Sequence, residues 1–318
     1  MLLVFDVGGT FIKYAWMTRE GEILEKNKIK TIIEPDTTPE DFVEEIYKIY
    51  CVYKQKETPE GIAISLPGQI DVENGIVYGG GALKYLDEVH LGQMISDKCD
   101  GIKVALENDG KCAALAEIWK GNAKDVNDAC VIIIGTGIGG GIIVDRKVHH
   151  GSRLIAGELS FLLENIKRSE VDDIYPIEDT KSVTEIFDSF PYIASSTCTA
   201  ANLTHRYALA KGVSDKEVSG ELIYERAGEG EELAIEMLED TYFHIAKMCI
   251  NLYVVLNPEI ILIGGGISAA PGFIDGVIRY VEKLKTITKI YEGVKVQGCK
   301  YLNDSNLLGA VFNYIQNE

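Results

Sequence analysis

Apolar and polar positions along this chain follow two rhythms. "LLVFDVG", from Leu2, is a continuous apolar run and reads as a buried strand. "FIKYAWM" and "ILEKNKIKTI" follow it around a Gly-containing turn at "REGE", which predicts a three-strand antiparallel start. Thr38, with Pro39 after it, caps an amphipathic helix over "EDFVEEIYKIYCVYK", where Phe42, Ile46, Ile49 and Tyr53 recur at helical spacing. A buried strand at "GIAISLPG", a polar turn at "DVENG" and a helix near Leu91 to Cys99 come next. The run from Lys103 to Leu106 then breaks at Glu107-Asn108-Asp109 into an alanine-rich helix that leads out to Gly121.

After "NAKDVND" the pattern restarts. "ACVIIIGTGIGGGIIVDRKVHHG" repeats the order of "LLVFDVGGTFIKYAWMTREGE": apolar strand, Gly/Thr turn, second strand, turn. The later chain is mostly helical, with a capping box at Ser214 and Glu217 and one long helix over Glu231 to Leu256. A last buried strand, "EIILI", ends at "GGGIS". Two similar halves with Gly-rich hairpin tips point to a pair of related α/β domains facing one another across a cleft, with a phosphate-bearing ligand between the tips.

Composition removes several alternatives. The 318 residues are 46% apolar and 25% charged, ordinary for a globular protein with a full core. Basic residues number 31 against 49 acidic, a net charge of −18, with no Lys/Arg block to track a phosphate backbone, so nucleic acid is not an expected partner. No basic n-region precedes "LLVFDVGG" and no apolar run is long enough to span a membrane, so a cytoplasmic protein is expected. The seven cysteines form no C-x-x-C pair and read as buried free thiols.

Candidate chemistry sits at the turns. Gly8-Gly9-Thr10, "GTGIGGG" from Gly135 and Gly264 to Gly266 each follow a strand. Glycine there permits positive φ and lets backbone N–H groups approach phosphate oxygens, while Thr10 and Thr136 add hydroxyls. No Walker A loop occurs, and "GTGIGGG" runs into a strand rather than the helix a dinucleotide fingerprint needs. Asp6, at the end of the first strand, can hold Mg²⁺ directly or through water, or can be a turn residue. Asp109, or Asn108 before it, can be a helix N-cap with the other carboxylate solvated; alternatively one of them is a catalyst. His149-His150 reads as a polar turn.

"FDVGGTFIK", "ISLPGQID", "ENDGKCAALAE", "IIIGTGIGGGII", "AGE" at Ala156 to Glu158 and "ILIGGGIS" together resemble, in order, the motifs of the ROK family, from Phe5 to the closing "LLGAVFNY". That family contains bacterial sugar kinases and some repressors. The resemblance implies an α/β fold of two actin/hexokinase-like, ribonuclease H-like domains flanking a cleft: a smaller one over 1–112 plus 301–318 and a larger one over 113–300. It implies an ATP- and Mg²⁺-dependent kinase that phosphorylates the 6-hydroxyl of glucose, N-acetylmannosamine or a β-glucoside, working as a homodimer. Asp109 takes the general-base place, and Asn108 and Glu158 hold sugar hydroxyls. Gly68, with the Gly79 to Gly81 stretch including Gly80 and Gly81, closes over the sugar. Gly8, Gly9, Thr10 and Lys13 match the first phosphate loop, and Gly135, Thr136, Gly137 and Gly139 the second. Gly264, Gly265 and Gly266 form the turn against adenosine.

The departures concern zinc. Many members continue the glutamate as Glu-x-Gly-His and carry three further cysteines that bind a structural zinc with that His. Here "ELS" places Ser160 among the sugar contacts in the His position, and Cys198 is the only cysteine between Cys130 and Cys249, so no structural zinc is expected. The loop from Leu159 to Ala200 is then held by packing, with Phe161, Ile174, Ile186, Phe187 and Phe190 as anchors. A repressor is not expected, because the first motif begins at Phe5 and leaves no room for a helix-turn-helix ahead of it. A non-catalytic sugar-sensing regulator is the alternative to the kinase.

Overall fold

The structure is a computed structural model and describes residues 1–81, 83–173, 177 and 182–318. The chain divides into two compact units: unit 1 holds Met1–Lys124, Lys147–Ala156 and Asn303–Glu318, and unit 2 holds Asp125–Arg146 and Gly157–Leu302. The first division therefore falls after the helix that follows Asp109, not inside it at residue 112.

Unit 1 is built on β1 (Leu2–Val7), β2 (Phe11–Met17), β3 (Ile23–Lys30), β4 (Gly61–Leu66) and β7 (Val104–Asn108), in the order β3-β2-β1-β4-β7. The first three are antiparallel as expected, and β1, β4 and β7 run parallel. Parallel strands covered on both faces read as unbroken apolar runs, which is why β1 and β4 show no alternation. One face packs Leu3, Phe5, Ile62, Ile64 and Leu106 against α1 (Pro39–Lys54) and α2 (Leu91–Lys98). Thr38 caps α1 through a box closed by Asp41, and Phe42, Ile46, Ile49 and Tyr53 are all buried. The other face meets α3 (Asp109–Lys120) and the C-terminal helix α10 (Ser305–Gln316). Those two helices touch at Gly309, where any side chain would strike the Cys112 carbonyl. The turn at "DVENG" joins β5 (Gln69–Asp71) to β6 (Ile76–Tyr78) and is held by Asp71, which accepts from the Asn74 backbone at 3.0 Å and side chain at 2.8 Å. The short strand β10 (Lys147–Val148) also belongs to this unit.

Unit 2 repeats the opening motif with β8 (Ala129–Ile134) and β9 (Ile138–Val144), antiparallel, then sets β11 (Ile260–Gly264) and β12 (Val296–Gly298) parallel to β8, in the order β9-β8-β11-β12. Its helices are α4 (Val183–Ser189), α5 (Ser195–Cys198), α6 (Ala200–Lys211), α7 (Gly220–Gly228), α8 (Glu232–Leu256) and α9 (Phe273–Lys285). The long helix α8 supplies Ile245, Ala246, Cys249 and Ile250 to a core shared with β8, β11 and α9. The chain is thus a mixed α/β protein of two sheet-and-helix units.

Candidate active site

The break at Glu107-Asn108-Asp109 is the junction of β7 and α3. Asn108 is the N-cap: its Oδ1 accepts the Lys111 backbone N–H at 3.1 Å. Asp109 is therefore the first helical residue, half-buried, with Oδ1 accepting the Gly110 N–H at 2.8 Å. A carboxylate at that position is favoured by the unsatisfied N–H groups of the first turn. Asn108 Nδ2 donates to the Gly68 carbonyl at 2.9 Å. Gly68 has φ +106°, and a Cβ there would come 2.9 Å from the Tyr78 carbonyl and 3.2 Å from Gly80; one on Gly81 would lie 3.1 Å from Pro67. Gly68, Gly80, Gly81 and Asn108 thus form one assembly, with Asp109 next in the chain. Because Asn108 uses its amide twice to build this turn, at most one of its amide hydrogens remains for a ligand.

Glu107 corrects the expectation of a solvated second carboxylate. It is 1% exposed; Oε1 accepts the Asn108 N–H at 2.7 Å and Oε2 meets His150 Nε2 at 2.8 Å. A buried carboxylate needs such partners to stay charged. His150 is therefore not merely part of a polar turn. Register explains why Glu107 points inward: Lys13, Asp6, Ser65 and Glu107 are successive partners across β2, β1, β4 and β7, so they share the face under α3 and α10. This polar row lies near the carboxyl ends of the parallel strands, where open α/β sheets bind ligands. Cys112 beside it is a neutral thiol, pushed well up by burial and by Glu107. On its outer side the Glu107–His150 pair borders a cleft of about 690 Å³ within unit 1, lined also by Lys147, Leu154, Asn74 and Asn313.

Asp6 receives Lys13 Nζ on one oxygen and Asn306 Nδ2 of α10 on the other, each at 2.9 Å. Lys13, expected as a charge for phosphate, is here the counter-ion of Asp6. A carboxylate with one such bond to each oxygen retains lone pairs for water, so its surroundings fit a Mg²⁺ held through water better than one bound directly. The first turn is braced by a residue that sequence reading missed: buried Thr31 donates its hydroxyl to the Gly8 carbonyl at 2.6 Å and its N–H to the Thr10 carbonyl at 3.1 Å. The Thr10 side chain faces solvent.

Unit 2 brings the other two glycine turns side by side, since β8 and β11 are parallel neighbours that end immediately before Gly135 and Gly265. Gly265 has φ +90° and its Cβ would collide with the Ile134 carbonyl, so only glycine fits. The phosphate-loop glycines differ from expectation: none of Gly8, Gly9, Gly135, Gly137 and Gly139 has positive φ. What Gly135 provides is clearance, because a Cβ there would meet nothing within 4 Å. Thr136 beside it is exposed. Gly157 (φ +91°) presses on Gly140, with a Cβ position 2.7 Å from that carbonyl, and sets half-buried Glu158 before a 3₁₀ turn over Leu159–Phe161.

Ser160, expected among the sugar contacts, has its hydroxyl engaged by backbone. It accepts from the Ile138 N–H at 2.7 Å and donates to the Ile138 carbonyl at 3.2 Å, which fastens the turn after Glu158 to the start of β9. Counting Glu-x-Gly-His from Glu158 also moves the comparison by one place: Ser160 falls on the Gly and Phe161 on the His. Phe161 is 58% exposed.

A family model described as the ROK family matches residues 3–316. The chain belongs to the ROK family. A β-glucoside kinase of Klebsiella pneumoniae is 29% identical over 315 residues, 99% of this chain and 96% of that one. A β-glucoside kinase of Listeria innocua is 29% identical over 317 residues, 100% and 98% of the two chains. Among solved structures, a ROK family protein from Streptococcus pneumoniae in complex with sucrose superposes with a TM-score of 0.81 at 28% identity, covering 99% of this chain and 98% of that one. The two sheet-and-helix units are those of the actin/hexokinase-like fold that ROK proteins share.

Among the described residues of this ROK chain, no group of three or more His, Cys, Asp or Glu is placed to hold a metal ion. Cys198 is buried in the unit 2 core, its thiol pushed up to about 12 by burial. The segment after Phe161 is fastened by an ionic node that sequence reading missed. The Glu164 side chain is only 6% exposed, and its Oε2 accepts from His244 Nδ1 at 2.7 Å, Lys247 Nζ at 3.1 Å and the Thr197 hydroxyl at 3.1 Å. Burial acts to raise the Glu164 pKa, but the His244 hydrogen bond and the charges of His244 and Lys247 outweigh it and hold the carboxyl below its usual range. Of the expected anchors, Phe187 and Phe190 are buried and Ile186 is half-buried, whereas Phe161 is exposed and Ile174 lies outside the described residues. Tyr192 and Ile193 complete the small apolar cluster around Phe190.

Proposed function

We propose that this ROK protein is an ATP-dependent sugar kinase that transfers the γ-phosphoryl group to the 6-hydroxyl of a hexose, and that its acceptor is a glycoside such as a β-glucoside. The observation that carries the reading is the position of Asp109: the capping duty at the β7–α3 junction belongs to Asn108, so the fold does not need the Asp109 carboxylate as a cap. A hydroxyl that attacks a phosphoryl group needs such a base within hydrogen-bond reach, and the rest of the work is positioning and charge neutralisation.

In this reading Asp109 takes the acceptor's proton, and Glu158 and the remaining amide capacity of Asn108 hold its hydroxyls. The N–H groups of Gly8 and Gly135 close their own turns on the Phe11 and Gly137 carbonyls at 3.0 and 2.9 Å, so the donors for phosphate are those of the residues that follow them in each turn. Mg²⁺ supplies charge neutralisation when bound, and Asp6, with its Lys13 and Asn306 bonds, would hold it through water. Gly265 and Gly266 serve the adenosine. The relatives named as β-glucoside kinases favour a glycoside. Phe161 favours it independently, because an exposed ring offers a stacking face and no hydrogen bond, which suits an anomeric oxygen that is already substituted.

The test is ADP release, coupled to a spectrophotometric assay, across glucose, N-acetylmannosamine, cellobiose and aryl β-glucosides with Mg·ATP. Acceptor-dependent ADP release with kcat/KM highest for the β-glucosides is expected. Higher kcat/KM for a free hexose would overturn the acceptor assignment, and no acceptor-dependent ADP release would overturn the kinase in favour of a sugar-sensing protein.

A further inference from the structure

Between His150 and Ala156 the chain closes a small loop on itself. The Ala156 N–H donates to the His150 carbonyl at 3.1 Å, and Gly151 takes φ +76° with its Cβ position 3.3 Å from the Ala156 side chain. Two struts tie this loop to the β7–α3 junction. His150 Nε2 reaches buried Glu107 at 2.8 Å, and the Leu154 carbonyl receives Nζ of Lys111, itself 1% exposed, at 3.4 Å. Leu154 holds φ +64°, a backbone region disfavoured for a leucine, so the loop is shaped by its attachments. Glu107 passes the constraint on, because its other oxygen holds the N–H of Asn108, the residue before Asp109.

We propose that His150 is a positioning residue for Asp109. The imidazole N–H fixes the carboxylate, the carboxylate fixes the Asn108 amide, and the strand end holds Asp109 at the angle from which it takes the acceptor's proton. Carboxylates that orient a neighbouring functional group in this way act through geometry rather than by touching substrate. Glutamine is the informative replacement, since its Nε2 can stand where the imidazole Nε2 stands; leucine fills the space without a donor, and the adjoining cleft gives either side chain room. The kinetic part of this inference rests on the proposed kinase reading.

The experiment compares wild type, His150→Leu and His150→Gln for kcat and KM with Mg·ATP and the best acceptor, for melting temperature, and for hydrogen exchange at the Asn108 amide by NMR. For His150→Leu, kcat falls about 10- to 100-fold, the scale set by small misplacements of a reacting group, while KM for ATP stays within about twofold. His150→Gln recovers kcat to within about threefold of wild type. The Asn108 amide exchanges at least about tenfold faster in the leucine variant and returns toward wild type in the glutamine variant. Wild-type kcat in His150→Leu, or equal loss in His150→Leu and His150→Gln, would overturn the proposal. So would a kcat loss matched by a fall in melting temperature with Asn108 exchange unchanged. An inactive wild type would instead overturn the kinase reading, and the Asn108 exchange rates would then judge the strut alone.

Discussion

Two glutamates with buried side chains, one in each unit, hold a histidine and do different work. Glu107 is bound by one backbone N–H and His150, and the residues that follow it in the chain are the N-cap and the candidate base. Glu164 gathers three donors, from α8 and the end of α5, onto one oxygen and fastens an irregular segment that includes the Leu163–Ile193 bridge. The number of donors and what lies next in the chain separate a group that positions neighbours from one that holds a fold together. Losing the first is expected to show in turnover, and losing the second in stability.

The sharpest break of that comparison is Glu164→Leu. Removing one partner of a buried ionic cluster costs about 3 kcal/mol, at the low end of the usual range because Lys247 and His244 still reach water. The melting temperature should fall by several degrees while KM for ATP changes little. Since the folded Glu164 carboxyl titrates below its unfolded value, its contribution is present above the ordinary glutamate range and is lost as pH falls through the lower folded value. Glu164→Gln should abolish that part of the acid limb, which thermal melts across an acidic pH series would read. An unchanged limb would assign acid lability to other carboxylates.

A smaller contrast lies within the glycine turns. Gly265→Ala forces a side chain onto the Ile134 carbonyl at positive φ and should cost at least about 2 kcal/mol of stability. Gly135→Ala enters open space, so its effect should appear as KM for ATP raised by roughly tenfold, a loss of ground-state binding, with the melt unchanged. Equal stability losses in both variants would mean that Gly135 is a structural glycine as well.

Elements whose reasons are local were legible in the sequence. The Thr38 cap, the buried stripe from Phe42 to Tyr53 and the three-strand start each depend on residues a few positions apart, and each formed as expected. The motif residues Gly68, Gly80, Gly81 and Asn108 meet in space because the turns that carry them pack without room for side chains. What the sequence concealed are contacts made across distance: Glu107 with His150, Thr31 with the Gly8 turn, Ser160 with Ile138, Glu164 with His244. Each engages a polar side chain that a linear reading assigns to solvent, twice with a histidine and twice with backbone groups. The choice of Asn108 over Asp109 as cap was local but undetermined, because both residue types cap well and only the backbone path selects between them.

That selection underlies the central claim that Asp109 is a base and not a cap. Its most direct test is Asp109→Asn, an isosteric change that keeps the helix start. The account predicts that kcat falls by about 10² to 10⁴, while acceptor affinity measured by calorimetry and the melting temperature remain near wild type. Turnover within a few-fold of wild type, or a lost fold with Asn108 still in place, would contradict it.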